Sequence, residues 1–287
     1  MPSNPKISVV TPTFNGINTL RETIESLLAQ DYKNWEHIAI DGGSTDGTVN
    51  LLRSYPHVQW VSEPDKGHYH AMNKGIERAS GDIIGILNAD DCYREGALGK
   101  VAAAFEKSPE WDALFSDVIY VDGQSREIFR RAEALYDYDV LRFGSVCYVI
   151  HPTLFVRNST YERLGAYRYD KFLNCCDVDF ILRLGQNGCN IGQIPHPLVK
   201  YRMHEHGQSA DRRVAENTRR EHLAIRKEHG FPGGAKGKLL ELFARAKRQF
   251  QKLLYRGKLD VVPGKWRLKR HMRDETSFSS NIGIDKL

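Results

Sequence analysis

The chain has 287 residues and a net charge of +5, with 41 lysines and arginines against 36 aspartates and glutamates. This length is sufficient for one large α/β domain with an additional segment. No apolar stretch approaches the length that crosses a bilayer, and the amino-terminal residues lack the apolar core of a secretory signal peptide. Five cysteines without C-x-x-C spacing argue against a disulfide framework or a zinc site, so we expect a cytoplasmic protein.

The first half of the chain alternates between strand and helix patterns. Apolar runs with β-branched residues predict strands, at residues 6–10, 35–40, 58–61, 83–87 and 113–121. Apolar side chains at helical spacing predict helices between them, at residues 19–30, 68–79 and about 95–107, with a short helix around residues 51 and 52. Such alternation predicts a largely parallel, doubly wound sheet.

Beyond residue 120 the pattern is less regular. Residues 147–156 and 198–202 are predicted to form strands, and residues 177–186 and 212–229 to form helices. The glycine and proline cluster at residues 230–234 predicts a linker to a separate carboxy-terminal segment.

Polar residues follow four of the predicted strands, in the loops 11–15, 41–44, 63–67 and 88–91. Because the carboxyl ends of parallel strands share one edge of a sheet, we expect these loops to meet and form a binding site. The last loop ends in Asp90 and Asp91, whose hard oxygen donors suit Mg²⁺ or Mn²⁺. Taken alone, this pair is also typical of an aspartate-rich turn.

Two common nucleotide-binding motifs are absent. No G-x-G-x-x-G follows the first strand, and the glycine-rich segment 42–47 lacks the lysine of a P-loop. These absences argue against a dinucleotide-dependent dehydrogenase and a P-loop NTPase.

Four motifs in order resemble the family 2 glycosyltransferases of the GT-A fold. They are Val-Val-Thr-Pro-Thr-Phe-Asn at 9–15, Ile-Asp-Gly-Gly-Ser-Thr-Asp-Gly-Thr at 40–48, Ser-Glu-Pro-Asp-Lys-Gly at 62–67 with Ala-Met-Asn-Lys-Gly at 71–75, and Leu-Asn-Ala-Asp-Asp at 87–91. The resemblance covers roughly residues 5–210 and is closest to the branch that builds bacterial surface polysaccharides and O-antigens.

The resemblance implies a GT-A fold, with a Rossmann-like, doubly wound, mostly parallel α/β sheet. The catalytic domain would then span residues 1–230, with a nucleotide-sugar half at about 1–122 and an acceptor half at about 123–230. A basic, amphipathic helical extension would occupy residues 231–287.

The resemblance also assigns roles in the first half. It implies that one set of residues binds the nucleotide of the donor, namely Thr11, Pro12, Thr13, Asn15, Asp41, Asp65, Lys66, Asn88 and Asp90. Asp90 and Asp91 fall in the family's metal-binding D-x-D element, with Mn²⁺ or Mg²⁺ as the cofactor. Two positions depart from the family pattern, since Asn88 and His70 stand where acids are frequent.

In the second half, Cys-Asp-Val-Asp-Phe-Ile-Leu-Arg-Leu at 176–184 resembles the family's Glu-Asp…Leu-x-x-Arg helix. The resemblance implies that Asp177 deprotonates the acceptor hydroxyl, with Cys176 at the usual glutamate. Asp177 could instead cap the helix, a position that aspartate favours. Arg183 is expected to make a structural ion pair or to hold a carboxylate on the acceptor side.

Three histidines are further candidates. His151 resembles family histidines that face the acceptor, although a structural role is equally compatible with its position. The segment 201–209 resembles the family's closing loop, in which a histidine completes the metal shell or contacts phosphate. We choose His204 over His206 for this role.

The carboxy-terminal part is strongly basic, with 13 lysines and arginines against two acids in residues 236–273. Five apolar residues share one stripe of a predicted helix there: Leu239, Phe243, Ala246, Phe250 and Leu253. A basic amphipathic helix is typical of binding to an anionic membrane surface. Alternatively, the stripe packs against the domain; nucleic-acid binding has no supporting motif.

These features predict an inverting, metal-dependent glycosyltransferase of the hexosyltransferase type. We expect it to move a sugar from a nucleotide-diphosphate sugar, with UDP favoured, to a hydroxyl of a glycan or lipid-linked acceptor in surface polysaccharide, lipopolysaccharide or O-antigen synthesis. It would be peripheral on the inner face of the cell membrane. The alternatives are a nucleotide-sugar-binding protein that has lost catalysis and a nucleotidyltransferase, although loop 11–16 lacks the basic residues that the latter needs.

Overall fold

The computed structural model describes residues 4–203 and 212–256. Their strands are β1 (Ile7–Thr13), β2 (Trp35–Asp41), β3 (Val58–Ser62), β4 (Ile83–Ile86), β5 (Cys92–Tyr93), β6 (Ala113–Val121), β7 (Glu127–Arg131), β8 (Phe155–Arg157) and β9 (Ile191–Arg202). Their helices are α1 (Leu20–Leu28), α2 (Thr48–Arg53), α3 (His68–Arg78), α4 (Ala97–Lys107), α5 (Tyr138–Phe143), α6 (Asn158–Leu164), α7 (Cys176–Gln186), α8 (Arg212–Glu228) and α9 (Gly234–Arg256). No helix in these two ranges is long and apolar enough to cross a membrane.

The strands form one sheet in the order β3-β2-β1-β4-β8-β6-β9-β5, with β7 beside β6. The first four strands are parallel to one another. In the second half, β8 runs antiparallel to both β4 and β6, whereas β9 runs parallel to β6. The α/β fold that the alternating pattern predicts is confirmed, and antiparallel strands extend its parallel first half.

Helices cover both faces of the sheet. Every residue of β1 is buried. Its adjacent residues Val9 and Val10 belong to separate hydrophobic clusters, because successive side chains of a strand point to opposite faces of the sheet. On the Val10 face, α3 packs directly on β1. A Cβ atom on Gly75 would lie 2.2 Å from Cγ1 of Val10, so glycine permits this close approach.

The predicted strand at residues 147–156 is wrong over most of its length. Only β8, at Phe155–Arg157, pairs with the sheet, and His151–Thr153 forms a turn of 3₁₀-helix. Tyr148 and Val149 are buried without strand pairing, which accounts for the apolar run. Pro152 has no N–H group and restricts the residue before it, so the segment turns at this point.

Strand β9 begins seven residues before the predicted start at residue 198. Pro195 and Pro197 lie within it, and proline normally argues against the interior of a strand. The pairing with β6 shifts register here, from Ser116 opposite Ile194 to Asp117 opposite Pro197. This irregularity accommodates both prolines and allows the strand to continue to Arg202.

Candidate active site

The polar loops after the parallel strands meet at one edge of the sheet. Thr13 lies opposite Asp41, which lies opposite Ser62 on the next strand, and Val10 lies opposite Ile86. This register brings the loops after β1, β2, β3 and β4 together, as the sequence predicts. We call this edge the loop rim.

Asn15 joins the first two loops of the rim. Its backbone lies in the left-handed region, with a φ of 51°. Its N–H donates to Oγ of Ser44 at 2.7 Å, and its side-chain oxygen accepts from the N–H of Thr45 at 3.0 Å. Asparagine tolerates this backbone conformation better than most residues and supplies the side-chain acceptor.

Asp41 is buried and organises the second loop. One carboxylate oxygen accepts from the N–H groups of Gly43 and Ser44 at 3.1 and 2.9 Å and from the Ser62 hydroxyl at 2.6 Å. Its other oxygen accepts from the Ser44 hydroxyl. In this structure the carboxylate therefore holds the loop in place.

Thr11, Pro12 and Thr13 are also buried, behind the rim. The Thr11 hydroxyl hydrogen-bonds to Nε2 of His37 at 2.9 Å. The predicted nucleotide-binding residues of the first two loops thus divide into an exposed member, Asn15, and buried members that shape the wall behind it.

Phe14 is a rim residue that the sequence patterns did not single out. Its ring is 65% exposed, although it follows a fully buried strand. A Cβ atom on Gly42 would lie 3.3 Å from the Phe14 ring and 2.7 Å from Oδ2 of Asp65, so these three residues adjoin. An exposed ring beside a carboxylate provides an apolar surface on which a planar base can stack. The available signal was an aromatic residue within an otherwise polar loop.

The loop after β3 leads directly into α3. Oδ1 of Asp65 accepts from the N–H of Gly67 at 2.7 Å, and the N–H of Lys66 donates to Nδ1 of His70 at 3.0 Å. The Lys66 side chain is exposed at the rim. A lysine in this position provides a positive charge for phosphate.

Asp91 faces inward, whereas Asn88 and Asp90 are half-exposed. Asp91 is 1% exposed, and its two oxygens accept from the N–H of Arg202 at 2.9 Å and from the side-chain amide of Asn88 at 3.0 Å. Burial, and then the negative charge of Asp90, raises the pKa of Asp91 well above its ordinary value. The geometry thus makes Asp91 a support for this loop.

Arg202, at the end of β9, was missed by the sequence patterns. Its Nε donates to the backbone oxygen of Asp90 at 2.9 Å, and its other nitrogens contact Ser125 and Glu22. A distant strand is thereby fastened to the Asn88–Asp91 loop. His204 and His206 lie outside the described residues, as does most of the predicted closing loop.

The donor set at this loop fits a hard divalent cation. The Asn88 amide nitrogen is engaged with Asp91, which directs the amide oxygen away from that residue, and Asp90 contributes a carboxylate. No cluster of three or more histidine, cysteine or acidic ligands occurs among the described residues. A site with only one or two protein ligands can still bind Mg²⁺ or Mn²⁺ beside a diphosphate, because Mg²⁺ commonly retains waters and shares phosphate oxygens.

Asp177 lies in the first turn of α7, against the start of α3. The residue in the N-cap position is Cys175, and no side-chain capping bond is present. Instead, Oδ1 of Asp177 accepts a hydrogen bond of 2.7 Å from the hydroxyl of Tyr69. This contact argues against the N-cap alternative and leaves a half-exposed carboxylate facing α3.

Neutral and aromatic groups surround Asp177. Burial lowers the pKa of His68 to about 4, although the charge of Asp177 opposes this shift. Burial also lowers the pKa of His151, whose Nε2 hydrogen-bonds to the Tyr167 hydroxyl at 2.7 Å. Both imidazoles are therefore neutral near pH 7, and the His151 ring lies beside that of Tyr69, with their centroids 6.4 Å apart.

Arg183 makes the structural ion pair that was one of its two expected roles, and its described contacts do not involve the acceptor side. Its Nε pairs with the buried carboxylate of Asp179 at 3.0 Å, and its Nη1 donates to the backbone oxygens of Leu164 and Gly165 at 2.7 and 3.1 Å. Arg168 completes the pairing of Asp179. Because these contacts engage the guanidinium group, it anchors the segment before α7.

Comparison with known proteins identifies the family of the chain. The family model for glycosyl transferase family 2 matches residues 8–170. An uncharacterized glycosyltransferase of Mycobacterium tuberculosis is 34% identical over 192 residues, which cover 64% of this chain and 70% of that protein. The O-antigen biosynthesis protein RfbC of Myxococcus xanthus is 32% identical over 205 residues, or 69% of this chain and 16% of that protein.

Two solved structures share the fold at low sequence identity. The mannosyltransferase PcManGT of Pyrobaculum calidifontis, in complex with GDP-Man and Mn²⁺, has a TM-score of 0.60 at 20% identity, with coverage of 86% of this chain and 70% of that one. TarS 1–349 of S. aureus in complex with UDP-GlcNAc has a TM-score of 0.59 at 19% identity, with coverage of 87% and 73%. At such identities the likeness shows the GT-A fold alone. The ordered motifs, the family model and the fold agree: the chain belongs to glycosyl transferase family 2.

Proposed function

We propose that the protein transfers a sugar from a nucleotide-diphosphate sugar, bound at the loop rim, to a hydroxyl group activated by Asp177. The observation that carries this proposal is the 2.7 Å contact between Tyr69 and Asp177. Helix α3 begins at His68, directly after the rim loop that contains Asp65 and Lys66. The contact therefore sets the carboxylate of the second half beside the donor loops of the first half.

The nucleotide would lie across the rim. Phe14 offers its ring to the base, Asn15 and the backbone around Asp41 supply polar contacts, and Lys66 neutralises phosphate charge. Thr11, Pro12, Thr13 and Asp65 shape the pocket. Both solved structures of this fold hold a nucleotide-diphosphate sugar, UDP-GlcNAc in TarS and GDP-Man in PcManGT, and a UDP-sugar is our favoured donor.

Asp90 and Asn88 would hold Mn²⁺ or Mg²⁺, and His204 is the proposed third ligand. We leave Asp91 out of this set because it is 1% exposed and its two oxygens face Arg202 and Asn88 inside the loop. When bound, the cation supplies Lewis-acid neutralisation of the departing diphosphate. The Mn²⁺ in the PcManGT complex supports the use of a divalent cation.

Asp177 would act as the general base. A sugar hydroxyl is a weak nucleophile near neutral pH, so a positioned carboxylate accelerates its attack by removing the proton. Attack on the face opposite the nucleotide inverts the anomeric centre in one displacement. The transition state has oxocarbenium character, as in glycoside hydrolysis. The neutral imidazoles of His68 and His151 add no positive charge that would compete for the carboxylate.

The acceptor is proposed to be a glycan or lipid-linked hydroxyl in surface polysaccharide synthesis, presented on the inner face of the cell membrane. Residues 236–273 would bind that anionic surface, and residues 257–273 of this segment lie outside the described residues. Support comes from the basic composition of the segment and from the similarity to the O-antigen protein RfbC. The domain limits at residues 1–230 and 231–287 belong to the same proposal.

A thermal-shift panel tests donor binding. UDP-, GDP- and dTDP-sugars are added with and without Mn²⁺, since a ligand that binds the folded state alone raises the melting temperature. We expect one nucleotide class to give a rise that depends on Mn²⁺, and Asp90→Asn to lose the Mn²⁺-dependent part. Asp170→Asn, at an exposed aspartate of the second half, is the matched control. If no nucleotide sugar changes the melting temperature, the proposal fails.

A further inference from the structure

Helix α9 exposes its apolar side and buries its charged side. Six large apolar residues are between 47% and 68% exposed: Leu239, Leu242, Phe243, Phe250, Leu253 and Leu254. Their spacing of three and four residues places them on one side of the helix. We call this set the outer face of α9. The alternative in which the stripe packs against the domain is therefore wrong.

Ion pairs attach the opposite side of α9 to the domain. Arg248 and Lys252 are buried and lie 2.9 and 3.4 Å from the Glu133 carboxylate. Lys247 lies 2.6 Å from Asp137, and Arg256 pairs with Asp117. Burial would raise the pKa of Glu133, but Arg131, Arg248 and Lys252 hold it below its ordinary value.

These contacts fix the rotation of the helix. Turning α9 to bury its leucines would remove Arg248 and Lys252 from a carboxylate that is itself 1% exposed. Removing one partner of a buried ion pair is strongly destabilising. The buried ion pairs on one side of α9 therefore keep the outer face exposed on the other. A contiguous exposed apolar surface of this kind marks an interaction site.

The charges beside the outer face are positive. Exposed Lys236 and Lys238 flank it near the start of the helix. Arg245 lies on the same border and pairs with Glu241, the only acidic residue of α9. Two copies of this helix packed face to face would bring their basic borders together, which opposes self-association. An anionic lipid surface complements both the apolar stripe and the positive border.

We propose that the outer face of α9 inserts into the interface of an anionic membrane while the Glu133 ion pairs hold the catalytic domain in a fixed orientation on that surface. The inference rests on the proposed function for its biological setting, since a lipid-linked acceptor lies at such a membrane. It goes further by identifying the inserted residues and the contacts that expose them.

The test is co-sedimentation of the full chain with vesicles. Vesicles of phosphatidylglycerol and phosphatidylcholine in equal parts are compared with pure phosphatidylcholine. Leu242→Ser/Leu253→Ser removes two leucines from the outer face. Leu28→Ser/Leu223→Ser removes two comparably exposed leucines elsewhere and is the matched control. Both pairs are exposed, so melting temperatures close to wild type check that each variant is folded.

We expect wild type and the control to bind the anionic vesicles and the outer-face variant to bind about tenfold more weakly, because two leucines lose their apolar burial. Phe243→Ser/Phe250→Ser should show the same loss. Asp90→Asn should bind vesicles normally even where sugar transfer is lost, so failure of the two proposals can be distinguished. Equal vesicle binding by wild type and the outer-face variant would overturn the inference. The inference would also be overturned if wild type were a dimer, the outer-face variant were a monomer, and the two bound vesicles equally.

Discussion

The hydroxyl of Tyr69 lies 2.7 Å from Oδ1 of Asp177, although 108 residues separate them in the chain. Burial, and then the charge of Asp177, raises the pKa of Tyr69 well above its ordinary value, so the hydroxyl keeps its proton and donates. Tyr69 is thus a positioning residue that fixes the carboxylate proposed as base.

Tyr69→Phe should lower kcat by about 10- to 100-fold, because a hydrogen bond to a charged group contributes about 1.5–3 kcal/mol. The KM for the nucleotide sugar should stay near wild type, since the change leaves the rim residues in place. Steady-state kinetics with the donor varied provide the measurement. Tyr55→Phe, at a tyrosine that contacts Arg21 and Glu25 on the surface, is the control. A variant with unchanged kcat would show that the contact has no part in turnover.

Gly42→Ala should weaken nucleotide binding by about tenfold, or about 1.4 kcal/mol. The added Cβ atom would meet Oδ2 of Asp65 at 2.7 Å and must displace that side chain and the adjacent Phe14 ring. Titration calorimetry with the nucleoside diphosphate measures this effect. Gly123→Ala is the matched control, since a Cβ atom there has no neighbour within 4 Å. Equal affinities for the two variants would place the nucleotide away from this part of the rim.

Glu133→Gln should lower the free energy of unfolding by about 3–5 kcal/mol, because it removes the carboxylate shared by the buried Arg248 and Lys252. Urea denaturation followed by circular dichroism gives the comparison. Glu127→Gln is the control, since that carboxylate is exposed in its pair with Arg130 and should change stability by less than about 1 kcal/mol. Similar losses in both variants would contradict a special role for Glu133.

Glu36 should make stability depend on pH in the acid range. Burial would raise its pKa, but hydrogen bonds from Ser8, Lys6 and Ser80 lower it from 4.5 to about 2. A carboxyl with a depressed pKa stabilises the folded state above its unfolded pKa, and this contribution is lost as pH falls from about 4.5 toward 2.

Wild type and Glu36→Gln should therefore differ most in free energy of unfolding above pH 5 and converge as the pH approaches 2. Chemical denaturation at a series of pH values measures both curves. Parallel curves over this range would mean that Glu36 does not titrate as described.

The parallel first half could be predicted from the sequence because its signals are local. In β6 the predicted and observed limits coincide at Ala113–Val121, since nine consecutive buried residues leave little ambiguity. The meeting of the four loops at the rim could be predicted from the parallel topology alone, because parallel strands place their carboxyl ends at one edge of the sheet. The positions of Asn15, Asp65 and Asp90 at this edge follow from the same rule.

The contacts that shape the site were not predictable in this way, because they join distant parts of the chain. Nothing near Asp91 in the sequence indicates that the backbone N–H of Arg202 donates to its carboxylate, the contact from which we propose a supporting role for Asp91. Likewise, the helical stripe at α9 fixes which residues share a face but not the side that packs. That choice depends on Glu133, a buried acid more than 100 residues before the cations that it binds.

The most direct test of the central claim is nucleotide release by wild type, Asp177→Asn and Asp170→Asn. The responsive nucleotide sugar is supplied with Mn²⁺, and water takes the place of the acceptor hydroxyl if no acceptor is added. We predict that wild type and Asp170→Asn release nucleoside diphosphate at the same rate. Asp177→Asn should bind the donor equally well, but it should release nucleoside diphosphate about 10²- to 10⁴-fold more slowly. Release by Asp177→Asn at the wild-type rate would contradict the account.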